Sequence, residues 1–169
     1  MAAALWLLPA AAHGQVQYNY LVGISAGIGG TSDADPDPGF DGTNFQALFG
    51  LRLDNQSYFT ARLGRLQLAA SDDSGGRFDA DLSYLILGGE YRFAEAFYES
   101  GLFFGLGAYD LEGDDLVADE SGVGLAVGVT GDFEINDRWS VIAELAGHLV
   151  DLDYSNFFVT GNVGVGFRF

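Results

Sequence analysis

The sequence predicts an all-β fold in which eight antiparallel strands form an up-and-down transmembrane β-barrel. Apolar and polar residues alternate with a period of two along eight segments, which is typical of strands with two different faces. The 169 residues include 25 glycines and 3 prolines, and 49% of them are hydrophobic, a composition that favours extended structure with tight bends. Short and long links between the segments alternate strictly, as in a meander.

The charge and composition exclude several functional classes. The chain carries 24 acidic residues against 7 arginines and no lysine, for a formal net charge of -17. Nucleic-acid binding is excluded because neutralising phosphates requires a basic surface. The absence of cysteine excludes disulfides, thiolate metal sites and a cysteine nucleophile. Intrinsic disorder is excluded because the mean hydropathy is +0.16.

Residues 1–14 are predicted to be a secretory signal peptide. They form an apolar run, and Ala12 and Gly14 place small residues three positions and one position before a cut at Gln15. No Lys or Arg precedes this run, which departs from the usual pattern, and a short buried segment is the alternative. Residues 15–169 are then the outer-membrane β-barrel domain.

The strands are predicted from the alternation, which is clearest in residues 157–169, where Phe, Val and Gly occupy one face. In residues 57–68 the phase blurs at Arg65 and Leu66, which indicates either a bulge or the membrane rim. In residues 79–93 the apolar residues between 82 and 86 contradict the phase of the remainder. The eight segments are 18–28, 44–53, 57–68, 79–93, 100–109, 122–135, 138–150 and 157–169.

The links predict how the barrel is oriented. The short turns are at 54–56, 94–96 and 136–137, and the longer links are at 31–43, 70–78, 110–121 and 151–156. Bacterial outer-membrane barrels have short periplasmic turns and longer outer loops. Because 16 of the 24 acids lie in or beside the longer links, we expect acidic extracellular loops.

The apolar face is predicted to contact lipid, and the other face to fill the barrel. The second face is rich in Gly and has few charges, which suits the crowded interior of eight strands better than the exterior of a soluble ligand-binding barrel. Isolated buried charges are costly, so Arg62, Glu90, Arg138 and Glu144 are predicted to form an interior charge network. Aromatic residues at the strand ends are expected to form an interfacial girdle. They are Tyr20, Tyr58, Tyr91, Phe93, Trp139, Phe167 and Phe169.

Two stretches resemble small bacterial outer-membrane proteins of the OmpA/OmpX type: GGEYRF at 88–93 and GNVGVGFRF at 161–169. The resemblance covers residues 16–169 and is specific for architecture. It implies that Phe169 belongs to a signal recognised by the barrel assembly machinery, and that no periplasmic domain follows the barrel. It also implies the bacterial outer membrane as the location, with membrane lipids and lipopolysaccharide as partners.

One loop begins like a calcium-binding loop. Asp33, Asp35 and Asp37 alternate, but Pro38 stands where the turn glycine is required and Asn44 replaces the bidentate Glu. A solvated loop, or loose divalent bridging to lipopolysaccharide phosphates, is therefore favoured over a dedicated metal site. No cofactor is expected.

The only histidine after residue 14 raises the question of catalysis. Glu144 and Ser140 share the strand face of His148, but residues four apart on a strand are separated by about 13 Å, too far for a hydrogen-bonded pair. A polar interior residue is the favoured interpretation. We therefore expect a structural or surface-interaction protein of the outer membrane, not an enzyme, with a ligand at the acidic loops. A small ion-conducting pore and a lipid-modifying enzyme are the alternatives.

Overall fold

The computed structural model is a closed barrel of eight antiparallel strands, which confirms the predicted fold class. It describes residues 18–31, 41–71, 77–94, 98–113 and 119–169, without the side chains of 69–71, 77–79 and 94. The predicted signal peptide and Asp33, Asp35 and Asp37 lie outside these residues. The strands are β1 (Tyr20–Thr31), β2 (Gly42–Arg52), β3 (Ser57–Ser71), β4 (Arg77–Ala94), β5 (Tyr98–Gly113), β6 (Glu120–Glu134), β7 (Trp139–Val150) and β8 (Phe157–Arg168).

Each strand pairs with its neighbour in sequence, and β1 pairs with β8 from Leu21↔Arg168 to Thr31↔Phe158 to close the barrel. This closing seam is tight. A Cβ at Gly27 would collide with the carbonyl oxygen of Gly161 and with Asn162. Glycine at position 27 therefore lets β1 and β8 approach, and closure leaves this pair of strands with no free edge. In the part of the chain that the structure describes, no helix has the length and apolarity needed to cross a membrane.

An apolar belt surrounds the barrel. Its outward-facing side chains include Ile24, Leu106 and Val123, which are 69%, 66% and 74% exposed. On β1 the belt extends over nine residues, from Tyr20 to Ile28, which are eight steps along the strand. At about 3.3 Å per residue and a tilt of about 40°, this corresponds to a height of about 20 Å. A belt of this height suits a bilayer core, since a soluble barrel would present polar side chains there.

Aromatic rings concentrate at the end of the barrel that carries the short turns. We call this end the turn side and the opposite end the loop side. Tyr20 stacks on Phe169 with ring centroids 5.5 Å apart, and Trp139 lies 4.8 Å from Phe167. Tyr58 was expected in this girdle, but its side chain is buried inside the barrel. Position 58 has the inward parity of Thr60 and Arg62 on β3, and parity decides which face a strand residue joins.

The irregular phases of β3 and β4 mark the membrane rim and not a bulge. The register between the two strands is unbroken from Ser57↔Tyr91 to Ser71↔Arg77. Above Leu63 the outward positions of β3 become polar, with Arg65 exposed, while Leu66 is fully buried inside. The alternation of inward and outward positions along each strand is unbroken. Above the rim, however, the outward side chains face water and not lipid, so they are polar and the apolar side chains occupy inward positions. Leu82 and Tyr84 on β4 point inward for the same reason, whereas Ile86 points inward between the lipid-facing Leu85 and Leu87.

Side-chain caps stabilise two of the short turns. The Asp54 carboxylate accepts hydrogen bonds from the backbone N–H groups of Gln56 and Ser57, both at 2.8 Å. The Asn136 Oδ1 accepts from those of Arg138 and Trp139, both at 3.0 Å. Asp and Asn favour such turns because their short side chains bond the backbone two residues on. The two backbone hydrogen bonds hold the pKa of Asp54 below its ordinary value.

Candidate functional site in the barrel interior

The turn-side half of the interior contains a network of buried ion pairs centred on Arg62 of β3. Its Nη2 donates to Glu90 of β4 at 2.7 Å, and its Nε donates to Glu144 of β7 at 2.8 Å. Its Nη1 donates to Thr60, and the guanidinium lies over the ring of Phe103 at 3.7 Å. Arg62 is 1% exposed, so these contacts replace the hydration that the cation loses inside the barrel.

A second arginine extends the network toward the turn side. The Nε of Arg92 donates to Glu90 at 2.7 Å, and its Nη1 donates to Asp132 at 3.1 Å. The same nitrogen also donates to Glu99 at 3.2 Å, and the guanidinium lies over the inward ring of Tyr58 at 4.4 Å. Glu90 therefore bridges two arginines, which connects strands across the barrel lumen.

The network ends at the turn-side rim. Arg168 of β8 lies 2.9 Å from Asp132 and donates to Glu134 at 2.8 Å, where the carboxylate is about half exposed to solvent. We call the connected buried or largely buried residues Arg62, Arg92, Arg168, Glu90, Glu144 and Asp132 the charge network. Three cations face these three anions, and the partly exposed carboxylates of Glu99 and Glu134 add negative charge where the network reaches the turn-side rim.

The structure brings together three of the four residues expected in the interior network: Arg62, Glu90 and Glu144. Arg138 does not join them. It precedes β7, is exposed, and its Nε donates to the hydroxyl of Tyr18 at 3.4 Å. Its even position matches the inward residues of β7, but strand parity no longer directs a side chain once the backbone enters a turn.

The expected network omitted Arg92, Asp132 and Arg168. The signal for all three was present in the sequence, since each lies at a position with the parity of the inward face of its strand. What the sequence lacks is the register between distant strands, which decides that Asp132 of β6 reaches both arginines.

Above the charge network, polar side chains form a neutral layer around Tyr84. Its hydroxyl donates to Gln46 at 3.0 Å and accepts from Asn44, also at 3.0 Å. Asn44 also donates to Asn162, and Gln46 donates to Glu144, both at 2.9 Å. Through Gln46 the neutral layer is continuous with the charge network below.

The histidine considered for catalysis is part of this packed interior. His148 is 1% exposed, and its Nδ1 and Nε2 lie 3.1 Å from the hydroxyls of Tyr109 and Thr160. Both ring nitrogens are thus engaged by hydroxyl groups on β5 and β8. Neither Ser140 nor Glu144 is a hydrogen-bond partner of His148 among the described residues. The arrangement fixes the imidazole in place and leaves it no access to bulk solvent.

The loop-side half of the interior is mainly apolar, with the hydroxyls of Thr31 and Ser155 as a buried polar pair at the β1–β8 seam. We call this the apolar layer, formed by Leu66, Leu68, Leu82, Leu111, Val150, Leu152 and Phe158, all of them buried. Leu66, Leu111 and Phe158 are fully buried. The layer covers the neutral polar side chains and closes the lumen toward the loops.

No cluster of three or more potential metal ligands is found within residues 18–31, 41–71, 77–94, 98–113 and 119–169. The calcium-like motif of Asp33, Asp35 and Asp37 falls in one of the gaps between these ranges. Asn44, considered there as the last position of that motif, is buried in the neutral polar layer. That placement removes position 44 from any loop site.

Comparison with known proteins gives likenesses of structure only. No family model matches the chain, and no curated protein sequence matches it. Neisserial surface protein A (NspA) superposes with a TM-score of 0.70 at 16% identity, over 89% of this chain and 97% of that one. Ail, the attachment invasion locus protein of Yersinia pestis, superposes with a TM-score of 0.63 at 13% identity, over 90% of this chain and 99% of Ail. The outer membrane protein OprG of Pseudomonas aeruginosa superposes with a TM-score of 0.62 at 10% identity, over 90% of this chain and 96% of OprG.

These similar structures are outer-membrane proteins, and their shared feature with this chain is the eight-stranded barrel. The apolar belt independently requires a lipid environment for the outer wall. The chain therefore has the fold of an eight-stranded transmembrane barrel of the bacterial outer-membrane type.

Proposed function

We propose that the chain is an integral protein of the bacterial outer membrane with a structural or surface-interaction role. The observation that carries the proposal is the filled interior, in which the charge network and the apolar layer together occupy the lumen. An eight-stranded barrel is just wide enough for side chains to fill. The functional surface is then the loop side and the outer wall.

The filled interior argues against the alternative of a small ion-conducting pore. An ion entering from the turn side would have to separate Arg62 from Glu90 and Glu144, which it contacts at 2.7 and 2.8 Å. It would then meet the apolar layer, whose seven side chains offer nothing to replace its hydration. A small cavity beside Gln46 and Asn162 has a volume of about 10 Å³, which is room for about one water molecule.

The alternative of a lipid-modifying enzyme requires a reactive group that lipid can reach. His148 is the candidate base, but its ring is enclosed between Tyr109 and Thr160 and lies under the apolar layer. A general base must come within hydrogen-bond distance of the proton that it removes. A lipid outside the barrel cannot meet that condition without opening the wall.

The surface-interaction role is supported by the charge and order of the loop side. The Glu120 carboxylate of β6 accepts hydrogen bonds from the backbone N–H groups of Asp153 and Tyr154, at 2.7 and 3.4 Å. These bonds hold the link between β7 and β8 against the barrel. Ail has been solved in complex with the heparin analogue sucrose octasulfate, a polyanion. The acidic rim here favours a cationic partner instead.

Recording of ion currents across planar bilayers tests the closed interior. The refolded chain is expected to give no discrete current steps, because the lumen lacks a continuous aqueous path. Steps of constant amplitude in a preparation that migrates as folded protein before boiling would overturn the proposal. A preparation of Arg65→Ala, which alters the outer wall and leaves the interior intact, is the matched control and is also expected to be silent.

Binding of oligolysine to the protein in nanodiscs tests the surface role. Neutralising Asp110, Glu112 and Asp119 on the loop side, as Asn or Gln, is expected to weaken binding and reduce its salt dependence. Neutralising Glu134 and Asp137 on the turn side is the control and should have little effect. Equal losses from the two sets would contradict a loop-side interaction surface.

A further inference from the structure

One buried amide in the barrel interior has a donor that no described residue accepts. Asn162 of β8 is buried, and its Oδ1 accepts a hydrogen bond from Asn44 at 2.9 Å. Its Nδ2 is also buried and has no hydrogen-bond partner among the residues that the structure describes. An unpaired buried donor loses its hydration without replacement, so buried amides are as a rule bonded to protein groups or to ordered water.

The orientation of this amide is fixed by a chain of hydrogen bonds that begins at a carboxylate. Glu144 is an acceptor, so Gln46 turns its Nε2 toward it, at 2.9 Å, and its Oε1 toward Tyr84. The Tyr84 hydroxyl donates to Gln46 at 3.0 Å and therefore accepts from the Nδ2 of Asn44. The same Nδ2 donates to Asn162, which must present its Oδ1 there. The Nδ2 of Asn162 is consequently the group left over.

Asn162 lines the small cavity noted above, which we call the seam cavity. Its volume of about 10 Å³ is the space that one water molecule requires. Since the Oδ1 of Asn162 is directed to Asn44 on the loop side, the Nδ2 is directed toward the cavity. Four strands contribute a polar lining residue: β1, β2, β7 and β8, through Ser25, Gln46, Glu144 and Asn162. Leu48 and Ile142 line the cavity toward the turn side.

The seam cavity also offers acceptors. Glu144 is the register partner of Asn162, and its two carboxylate oxygens accept from Gln46 and Arg62, one each. A carboxylate has about four lone-pair sites, so about two remain. Ser25 lies at an inward position of β1, and its hydroxyl can donate or accept. A donor on one side and acceptors on the other suit a water molecule, whereas the N–H groups of Asn162 disfavour a cation.

We propose that the seam cavity binds one internal water molecule, which accepts from the Nδ2 of Asn162 and donates to Glu144 and Ser25. The water joins β1, β7 and β8, so it connects the closing seam of the barrel to the charge network. It carries no charge, and Arg62 therefore remains the cation that is paired with Glu144. The inference goes beyond the proposed function and does not depend on it, because it concerns groups inside the barrel alone.

Nuclear magnetic resonance of the refolded chain in detergent micelles tests the site through cross-relaxation between water and side-chain amide protons. The Nδ2 protons of Asn162 are expected to give a water cross-peak. Those of Asn44 are the internal control and should give none, because they are fully buried and bonded to Tyr84 and Asn162. The cross-peak should persist in Ser25→Ala, which removes a hydroxyl that could relay exchange with water. Ser25→Val, which places methyl groups in the cavity, should abolish it.

A crystal structure at a resolution that shows ordered water gives a second measurement. We expect one density peak at hydrogen-bond distance, about 2.7–3.2 Å, from both the Nδ2 of Asn162 and the Glu144 carboxylate. A peak at about 2.3–2.6 Å from several oxygens would overturn the proposal, because that is the geometry of a bound Ca²⁺. A direct bond from the Nδ2 to a protein acceptor, with no peak in the cavity, would overturn it as well.

The spectra also give outcomes that contradict the proposal. These are the absence of a water cross-peak at Asn162 in a folded sample, cross-peaks of equal intensity at Asn44 and Asn162, and loss of the cross-peak in Ser25→Ala. A cross-peak that persists unchanged in folded Ser25→Val would likewise contradict it. If Ser25→Val does not fold, the spectra of the wild type and of Ser25→Ala decide the matter.

Discussion

Removing the central cation of the charge network is expected to destabilise the barrel strongly. Arg62→Ala deletes the hydrogen bonds to Glu90 and Glu144 and the contact with the Phe103 ring. Glu90 keeps Arg92 as a partner, but Glu144 keeps only the amide of Gln46. An uncompensated buried charge costs about 3–5 kcal/mol, so the free energy of unfolding should fall by that amount.

The matched control is Arg65→Ala, three residues along the same strand and on the opposite face. Arg65 forms one ion pair with Asp81 at a site where its side chain is 51% exposed. Exposed pairs contribute about 0–1 kcal/mol, so this variant should be close to wild type. Both variants remove one arginine from β3, and they differ in the side of the wall from which it is removed.

Equilibrium unfolding in urea, followed by tryptophan fluorescence in lipid vesicles, measures the two losses. A double-mutant cycle with Glu144→Gln isolates the pair. Because the double variant no longer buries an unpaired charge, its loss should be smaller than the sum of the single losses, by about 0.5–3 kcal/mol. Additive losses, or an Arg62→Ala value within 1 kcal/mol of Arg65→Ala, would refute the reasoning about the network.

Three further outcomes are expected. Gly27→Ala should prevent the heat-sensitive gel mobility of the folded barrel because its Cβ collides with β8, whereas Gly89→Ala should be tolerated, since the atom nearest its Cβ lies 3.9 Å away. The lowered pKa of Asp54 contributes stability that is fully present above pH 3.8 and is lost as the pH falls through the folded-state pKa. In Asp54→Asn this loss should be absent, so the urea midpoint of unfolding should fall less steeply at acid pH than in the wild type. An unchanged dependence of the urea midpoint on pH would contradict this. Phe169→Ala should slow insertion into vesicles containing the assembly machinery, and an equal effect of Tyr20→Ala, its stacking partner, would show a packing role instead of a signal.

The strand positions follow from the sequence because lipid and lumen impose opposite chemistry on alternate residues. The segment predicted at 157–169 is β8 at Phe157–Arg168, and the segment predicted at 57–68 begins at Ser57 as β3 does. The ends are less well predicted, since β5 extends to Gly113 where residue 109 was expected to end it. Above the rim the outer face is polar, so an apolar outer face no longer marks the strand.

The candidate site was predicted only in part, for a reason that particular residues make clear. Arg62, Glu90 and Glu144 were expected inside because each lies at an inward position within a strand. Arg138 occupies an even position like the inward residues of β7, but it lies in the turn before that strand and points outward. Tyr58 was assigned to the interfacial girdle because it is aromatic, although its position in β3 places it inside the barrel. Aromatic character suits both a girdle and a cation contact, so residue type alone does not decide between them.

The sequence by itself determined the number of strands, their order and the outer face, because these depend on a period of two and on the lengths of links between neighbours. Only the tertiary structure decided which charges meet. The contact of Arg62 with Glu144 joins residues 82 positions apart, and the meeting of Arg168 with Asp132 depends on the relative register of strands around the closed barrel. It also showed that the interior is polar toward the turns and apolar toward the loops. That division follows the exterior only in part: above the rim the polar exterior leaves the inner face for the apolar side chains of β3 and β4, but Leu21, Leu48 and Ile142 form a smaller apolar cluster inside the lipid-covered half.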